Sequence, residues 1–171
     1  MQGLFFYNVM IKNIIILISL LFLTALSAYA QPFRNCLVVG VSDGDTITCL
    51  MKGKKNIKIR LAEIDAPERN QPFGKKAKQQ LSALIYKRWV SLKISGQDRY
   101  KRTLATVYHN GKNINLAMVK SGMAWAYHHS LRHSIYLQAQ QKAQAKRLGL
   151  WAGSSPIPPD EWRKQERKYG F

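Results

Sequence analysis

Beyond residue 30 the chain opens with short apolar runs separated by turn signals. Leu37 to Val41 (LVVGV) is a β-branched run, and Asp45 to Leu50 (DTITCL) alternates in the manner of a strand around Ile47. Between them, Ser42-Asp43-Gly44-Asp45 holds the Asp-Gly pair of a tight hairpin. Asn56 to Leu61 (NIKIRL) sets Ile57 and Ile59 against Lys58 and Arg60, one apolar face and one cationic. Three consecutive antiparallel strands are therefore predicted. The period then changes. Over Gly74 to Tyr86, Ala77, Leu81, Leu84 and Ile85 form one stripe with lysines opposite, which predicts a helix. Trp89 to Ile94 and Thr103 to Tyr108 return to strand character, and Asn110-Gly111 closes a turn. A short helix is expected over Ile114 to Lys120, ended by Ser121-Gly122. A last one is expected from Ser134 to Leu148, stopped by Gly149, after which Leu150 and Trp151 can fold back onto the core.

Five short strands with a helix after the third suit a small closed barrel of the OB type. An open α+β sandwich would use the same elements. The expected class is mainly β with α (α+β), a five-stranded OB-fold Greek-key barrel with about three helices. At 171 residues one domain is expected, and 46% hydrophobic residues are enough for a packed core.

Charge narrows the partner. With 27 Lys and Arg against 9 Asp and Glu, the net charge is +18, which calls for a polyanion: nucleic acid or an acidic membrane surface. Membrane binding would need a long basic amphipathic helix, and SIYLQAQQKAQAKRL has Gln and Ala where its apolar face should be.

The ends carry their own signals. Ile14 to Ala30 is uncharged, follows Lys12 and finishes in Ala28-Tyr29-Ala30, the marks of a secretory signal peptide over 1–30, with translation starting at Met1 or Met10. An uncleaved membrane anchor is the competing reading. The expected product is exported, either secreted or periplasmic, with the domain over 31–153 and a basic tail over 154–171. That tail has three prolines before a run of charges and reads as an irregular, exposed appendage with a short helix from Pro159 or Asp160. Cys36 and Cys49 lie in the exported part, where a disulfide is permitted; two small buried residues in neighbouring strands are the alternative. No Cys or Cys/His spacing suggests zinc.

The acids are the most informative residues. Five of the nine, Asp43, Asp45, Glu63, Asp65 and Glu68, fall within 26 residues. A protein that only bound polyanions would gain nothing by gathering carboxylates where they repel phosphate. A site for a hard divalent cation needs that gathering. Asp45 opens the second strand past the hairpin and Asp65 ends the loop after the third, so adjacent strands bring them to one rim. Pro67 stiffens the loop that carries Ala66 and Glu68. Arg60 shares the strand that delivers Asp65. Cation, carboxylates and guanidinium would then surround one phosphate.

The segments VSDGDTITCL, IRLAEIDAPE, QDRYKRTLATVY and AQAKRLGLW resemble the staphylococcal (micrococcal, thermo-) nuclease family, in the family's order and over nearly all of Cys36 to Trp151. The resemblance implies an OB-fold, one calcium ion (Ca2+), and low-specificity hydrolysis of phosphodiester bonds in DNA and RNA, leaving 3′-phosphate ends. By position, Asp45 and Asp65 match the calcium carboxylates, and Ala66 stands where a backbone carbonyl serves the ion. Glu68 matches the general base, Arg60 and Arg102 the two phosphate-gripping arginines, and Asp43 an acidic neighbour of the metal. Arg99, Tyr100 and Lys101 are candidate phosphate contacts, and Tyr127 and His128 candidates for stacking a base. A monomer without stable membrane association is expected once the leader is removed. The competing function is a non-catalytic OB module that only binds nucleic acid.

One departure stands out. The family has Gly between the Tyr and Arg of D-R-Y-G-R, and here that residue is Lys101. If the loop needs φ > 0, Lys carries a strain that Gly avoids, and Arg102 is offset with Lys101 sharing its role. Simpler readings accompany the rest. Asp43 also fits a plain turn residue, Arg60 and Glu68 a surface ion pair, and Lys75, Lys76 and Lys78 a solvated helix face. His128, His129 and His133 fit a polar loop, and Trp125 fits the core.

Overall fold

The computed structural model describes residues 33–53, 55–127 and 133–170, together with Ile11, Lys12 and Ile14. The expected leader and its cleavage point, and His128 and His129, lie outside the described residues. Among the described residues no helix is long and apolar enough to cross a membrane.

Five strands make the barrel: β1 (Arg34–Val41), β2 (Thr46–Met51), β3 (Asn56–Leu61), β5 (Trp89–Gln97) and β6 (Thr103–His109). They run in the order β3-β2-β1-β5-β6, and β3 then pairs with β6 in parallel to close the ring. The register Ile59↔Thr103, Arg60↔Leu104, Leu61↔Ala105 brings the end of β3 beside the start of β6. Three two-residue strands extend this frame: β4 (Ile64–Asp65), β7 (Lys112–Asn113) and β8 (Trp125–Ala126), with β4 and β8 pairing as a separate ribbon. The predicted β3 matches to the residue. β1 starts earlier than Leu37 because Arg34 to Leu37 find partners on β5.

Alternation along β3 buries Ile59 and Leu61 completely. They meet Val38, Ile47, Leu92 and Val107 inside the barrel. Helix α1 (Gly74–Ile85) contributes Ala77, Leu81 and Ile85 to this core, and α2 (Ile114–Lys120) contributes Met118 and Val119. Lys75 and Lys76 of α1 are exposed and Lys78 half-buried, as a solvated face requires. Asn113 caps α2 by accepting from the Leu116 N–H at 2.9 Å. Fully buried Asn115 ties the closure together, accepting from Val107 N–H at 3.0 Å and donating to the carbonyls of Ala62 and Ala105. A buried amide so completely used stabilises one arrangement over its neighbours.

Helix α3 (Ser134–Ala145) stops short of the predicted Leu148, because Arg147 adopts a left-handed backbone (φ 50°). Leu150 is buried in a 3-10 turn over Gly149–Ala152, and Trp151 meets Trp125 edge-on at 5.2 Å between ring centres. Trp125 is indeed core. A fourth helix, α4 (Pro159–Tyr169), exceeds the expected count of about three. It begins at Pro159 as predicted, yet it does not hang free: its side chains reach the loop between β4 and α1. Cys36 and Cys49 form a disulfide between β1 and β2, Cα atoms 5.5 Å apart.

Candidate active site

The β1–β2 hairpin sets the first carboxylates. The Asp45 N–H donates to Asp43 Oδ1 at 3.0 Å, so Asp43 does shape the turn, as its simpler reading held. Gly44 lets the hairpin press close, since a Cβ there would stand 2.6 Å from the Ala66 Cβ and 2.7 Å from that of Ala77. That approach puts Asp45 against the β4–α1 loop, where Asp45 Oδ2 accepts from the Ala66 N–H at 2.8 Å. Its Oδ1 accepts from Thr46 Oγ1 at 3.0 Å. Asp65 ends β4, which is fixed opposite Trp125 of β8 rather than lying in a free loop.

Arg60 joins the two carboxylates. Its Nη1 donates to the carbonyls of Leu61 and Ile64, each at 2.7 Å. Its Nη2 donates to Asp65 Oδ1 at 2.7 Å and lies 3.2 Å from Asp45 Oδ2. Three hydrogen bonds and the ion pair with Asp45 thus occupy the Nη groups, in a side chain only 12% exposed. Burial works against the Arg60 charge, and Asp45 and Asp65 outweigh it to hold the guanidinium above its ordinary range. Burial pushes the Asp65 carboxyl up despite its arginine partners. Burial, then the neighbouring Asp45, pushes Asp43 up to about 6. Negative charge is in surplus here.

The remaining predicted residues gather at the same place. Asp43, Asp45, Arg60, Asp65, Ala66, Glu68, Arg99, Tyr100, Arg102 and Tyr127 line one open cleft of about 740 Å³. Lys101 does not line it; its backbone is left-handed (φ 61°), the strained position that Gly would relieve. Arg102 is nevertheless held firmly. Its Nε donates to Asp98 Oδ2 at 2.7 Å, and its own N–H and that of Tyr100 both donate to Asp98 Oδ1 at 2.9 Å. Burial pushes the Asp98 carboxyl up, but the hydrogen bonds and charge of Arg102 and the Tyr100 N–H together outweigh it and hold Asp98 below the usual carboxylate range. Arg99 and Arg102 also lie over the Tyr100 ring, 5.0 and 5.4 Å from its centre.

Two contacts were not foreseen. Glu63, counted with the acid cluster, has a left-handed backbone (φ 64°) and accepts from the His133 N–H at 2.9 Å, with His133 Nδ1 at 2.8 Å. It anchors the start of α3. His133 is therefore more than a polar loop residue. The second is Arg163 of α4, which enters the cleft. Its Nη1 donates to Glu68 Oε1 at 2.7 Å and its Nη2 to Asp65 Oδ2 at 2.9 Å. The suspected Arg60–Glu68 ion pair is thus replaced by two others: Arg60 takes the aspartates and Arg163 takes Glu68. The Pro159 start and the acidic Asp160-Glu161 turn made the helix legible; nothing local in the sequence says what Arg163 touches.

The donor chemistry suits a hard cation. Among the described residues no three His, Cys, Asp or Glu side chains come together as a metal cluster. The fit lies with two carboxylates and a backbone oxygen instead. Asp45 Oδ2 and Asp65 Oδ1 share a single cationic nitrogen of Arg60, and Asp43 lines the same cleft beside them.

Comparison with known proteins agrees with this geometry. The family described as staphylococcal nuclease homologue matches residues 58–153. A Haemophilus influenzae protein named uncharacterized endonuclease is 57% identical over 159 residues, covering 92% of this chain and 89% of that one. Protein ParB of Escherichia coli is 40% identical over 139 residues, 75% of this chain and 78% of its own length. A micrococcal nuclease of Shigella flexneri is 38% identical over 141 residues, 76% and 80% of the two chains. The family match takes in Arg60, the loop of Asp65 and Glu68, Arg102 and the helices α1 to α3, and the chain belongs to the staphylococcal nuclease homologue family.

Proposed function

We propose that this nuclease is calcium-dependent and hydrolyses phosphodiester bonds of DNA and RNA with low sequence specificity in the cleft just described. One observation carries the reading: in a chain of net charge +18, six acidic residues and four arginines line one open cleft. Asp45, Asp65 and the Ala66 carbonyl would hold the calcium ion, with Asp43 beside them. When bound, the ion supplies Lewis-acid stabilisation of the charge growing on the phosphate.

The protein's own groups do the rest. Glu68 accepts a proton from the attacking water, whose oxygen bonds to phosphorus as the ester bond to the leaving oxygen breaks, leaving a 3′-phosphate. Arg102 offers its Nη groups, which have no hydrogen-bond partner among the described residues. Arg60 reaches a phosphate by exchanging a carboxylate oxygen for a phosphate oxygen, since its Nη groups already face two carbonyls and two carboxylates. Tyr100 and Tyr127, on the cleft wall, would stack bases without reading sequence. All of these groups come from one chain, which supports action as a monomer. The Cys36–Cys49 disulfide supports export to an oxidising compartment, with 1–30 as the leader, 31–153 as the domain and 154–171 as its tail.

The test is digestion of single-stranded DNA, double-stranded DNA and RNA by residues 31–171, each with calcium, with magnesium and with excess chelator. Cleavage that requires calcium and loses about 10²- to 10⁴-fold in rate in Glu68→Gln is expected. Intact substrates that still shift in a gel would replace this reading with a binding module.

A further inference from the structure

We propose that α4 supplies a positioning residue for hydrolysis: Arg163 holds the Glu68 carboxylate where it can take the proton of water. The inference rests on the reading of Glu68 as general base. Glu68 sits on the loop between β4 and α1, with its side chain one-third exposed. A carboxylate so exposed on a loop samples several rotamers unless something fixes it. Among the described residues, Arg163 is the one hydrogen-bonding partner of that carboxylate, at 2.7 Å. The other cleft arginines are engaged elsewhere, Arg60 with Asp45 and Asp65, Arg102 with Asp98, and Arg99 over the Tyr100 ring.

The geometry needs a guanidinium. One arm, Nη1, reaches Glu68, while the other, Nη2, reaches Asp65 Oδ2 at 2.9 Å. Asp65 is nearly buried and pinned to Arg60, so Arg163 references the mobile base to a fixed point of the barrel. A planar fork does this, and a lysine ammonium does not reproduce it. The hydrogen bonds hold Arg163 in its charged form, raising its pKa against the opposing effect of burial.

Two further contacts bind the tail to the same loop. The Glu68 N–H donates to Gln71 Oε1 at 3.1 Å, and Gln71 Nε2 donates onward to the Ile157 carbonyl at 2.6 Å. The Asn70 side-chain amide meets Glu166 of α4. The tail therefore grips the loop at residues 68, 70 and 71, on both sides of the turn that carries the base. A solvated, merely basic end makes no such set of contacts.

The experiment is steady-state cleavage of a short single-stranded oligonucleotide in calcium by the parent, Arg163→Ala, Arg163→Lys, Glu68→Gln and the Glu68→Gln/Arg163→Ala double variant. Binding of the same oligonucleotide in chelator and the melting temperature are measured for each. Arg163→Ala should lower kcat about 10- to 100-fold, the scale expected of a misplaced catalytic group. KM and the chelator Kd should stay within about twofold of the parent's. Arg163→Lys should recover only part of kcat. In the Glu68→Gln background, Arg163→Ala should cost less than about threefold more, because its partner is already gone. Losses that multiply across the two sites, a loss carried by KM or Kd, or a gain in rate would each overturn the proposal while leaving the nuclease reading intact. A parent without calcium-dependent cleavage, or a fully active Glu68→Gln, would overturn that reading and this proposal with it.

Discussion

The turn into α1 is tightly packed enough to be tested with a single methyl group. Gly74 begins the helix, and a Cβ built there would lie 1.9 Å from the Glu68 carbonyl oxygen, 2.9 Å from its carbon and 3.1 Å from the Arg69 carbonyl oxygen. All three are backbone atoms, so no side chain can swing aside. Gly74→Ala must push the 68–69 backbone away by about 1.5 Å to restore ordinary contact, a strain of the kind that costs about 1–3 kcal/mol. Alanine recovers part of this, about 0.4–1 kcal/mol, by restricting the unfolded chain. A net loss of about 1–2 kcal/mol follows, or roughly 2–8 °C in Tm for a chain of this size. The same displacement moves Glu68, the base proposed above, and a 1 Å error in a catalytic group can cost about 10²-fold. Denaturant unfolding and cleavage of a short oligonucleotide measure the two effects together. A Gly74→Ala variant that melts and cleaves like the parent would show that this close approach does not hold the Glu68 loop.

Two other changes probe the neighbouring strain and charge. Asp43 has its carboxyl pushed up to about 6 by burial and by Asp45, so its contribution to stability without metal is full below the ordinary value near 3.8 and is lost as pH rises through about 6. Asp43→Asn keeps an oxygen to accept the Asp45 N–H, so in chelator it should unfold later than the parent at pH 7–8 and equally at pH 3.5. A parent that is the more stable of the two at pH 8 would contradict this assignment. Lys101→Gly removes a left-handed lysine, a strain of about 1–2 kcal/mol. After the entropy that glycine adds to the unfolded chain, a gain of about 0.5–1 kcal/mol should appear in denaturant unfolding. A lower midpoint would mean that Lys101 makes contacts worth more than its strain.

Local chemistry carried much of this architecture. β3 and α2 could be read to the residue, because strict alternation in NIKIRL and the Ser121-Gly122 stop act within a few positions. The meeting of Asp45 and Asp65 was also legible, since a hairpin and its next strand leave few alternatives. What escaped was set by distant parts of the chain. Ile64 and Asp65 become a strand only because Trp125 and Ala126 lie opposite. Glu63 lines the cleft with the other acids, yet its carboxylate takes His133 as partner, and spacing alone does not reveal that. Arg163 stands 98 positions from Asp65, and its helix reads as a solvated end until the fold shows the loop beneath it.

The barrel closes through its parallel pairing of β3 with β6, segments about 44 positions apart. Loop closure over such a span is an entropic burden met only when the rest of the barrel is in place to reward it. Arg60 lies on one of these strands and Arg102 just ahead of the other. Partly folded chains can therefore expose basic surface but cannot assemble the two arginines into one pocket. On the roles proposed for Arg60 and Arg102, a chain whose barrel has not closed keeps its basic attraction to nucleic acid but lacks the pocket that would cut it.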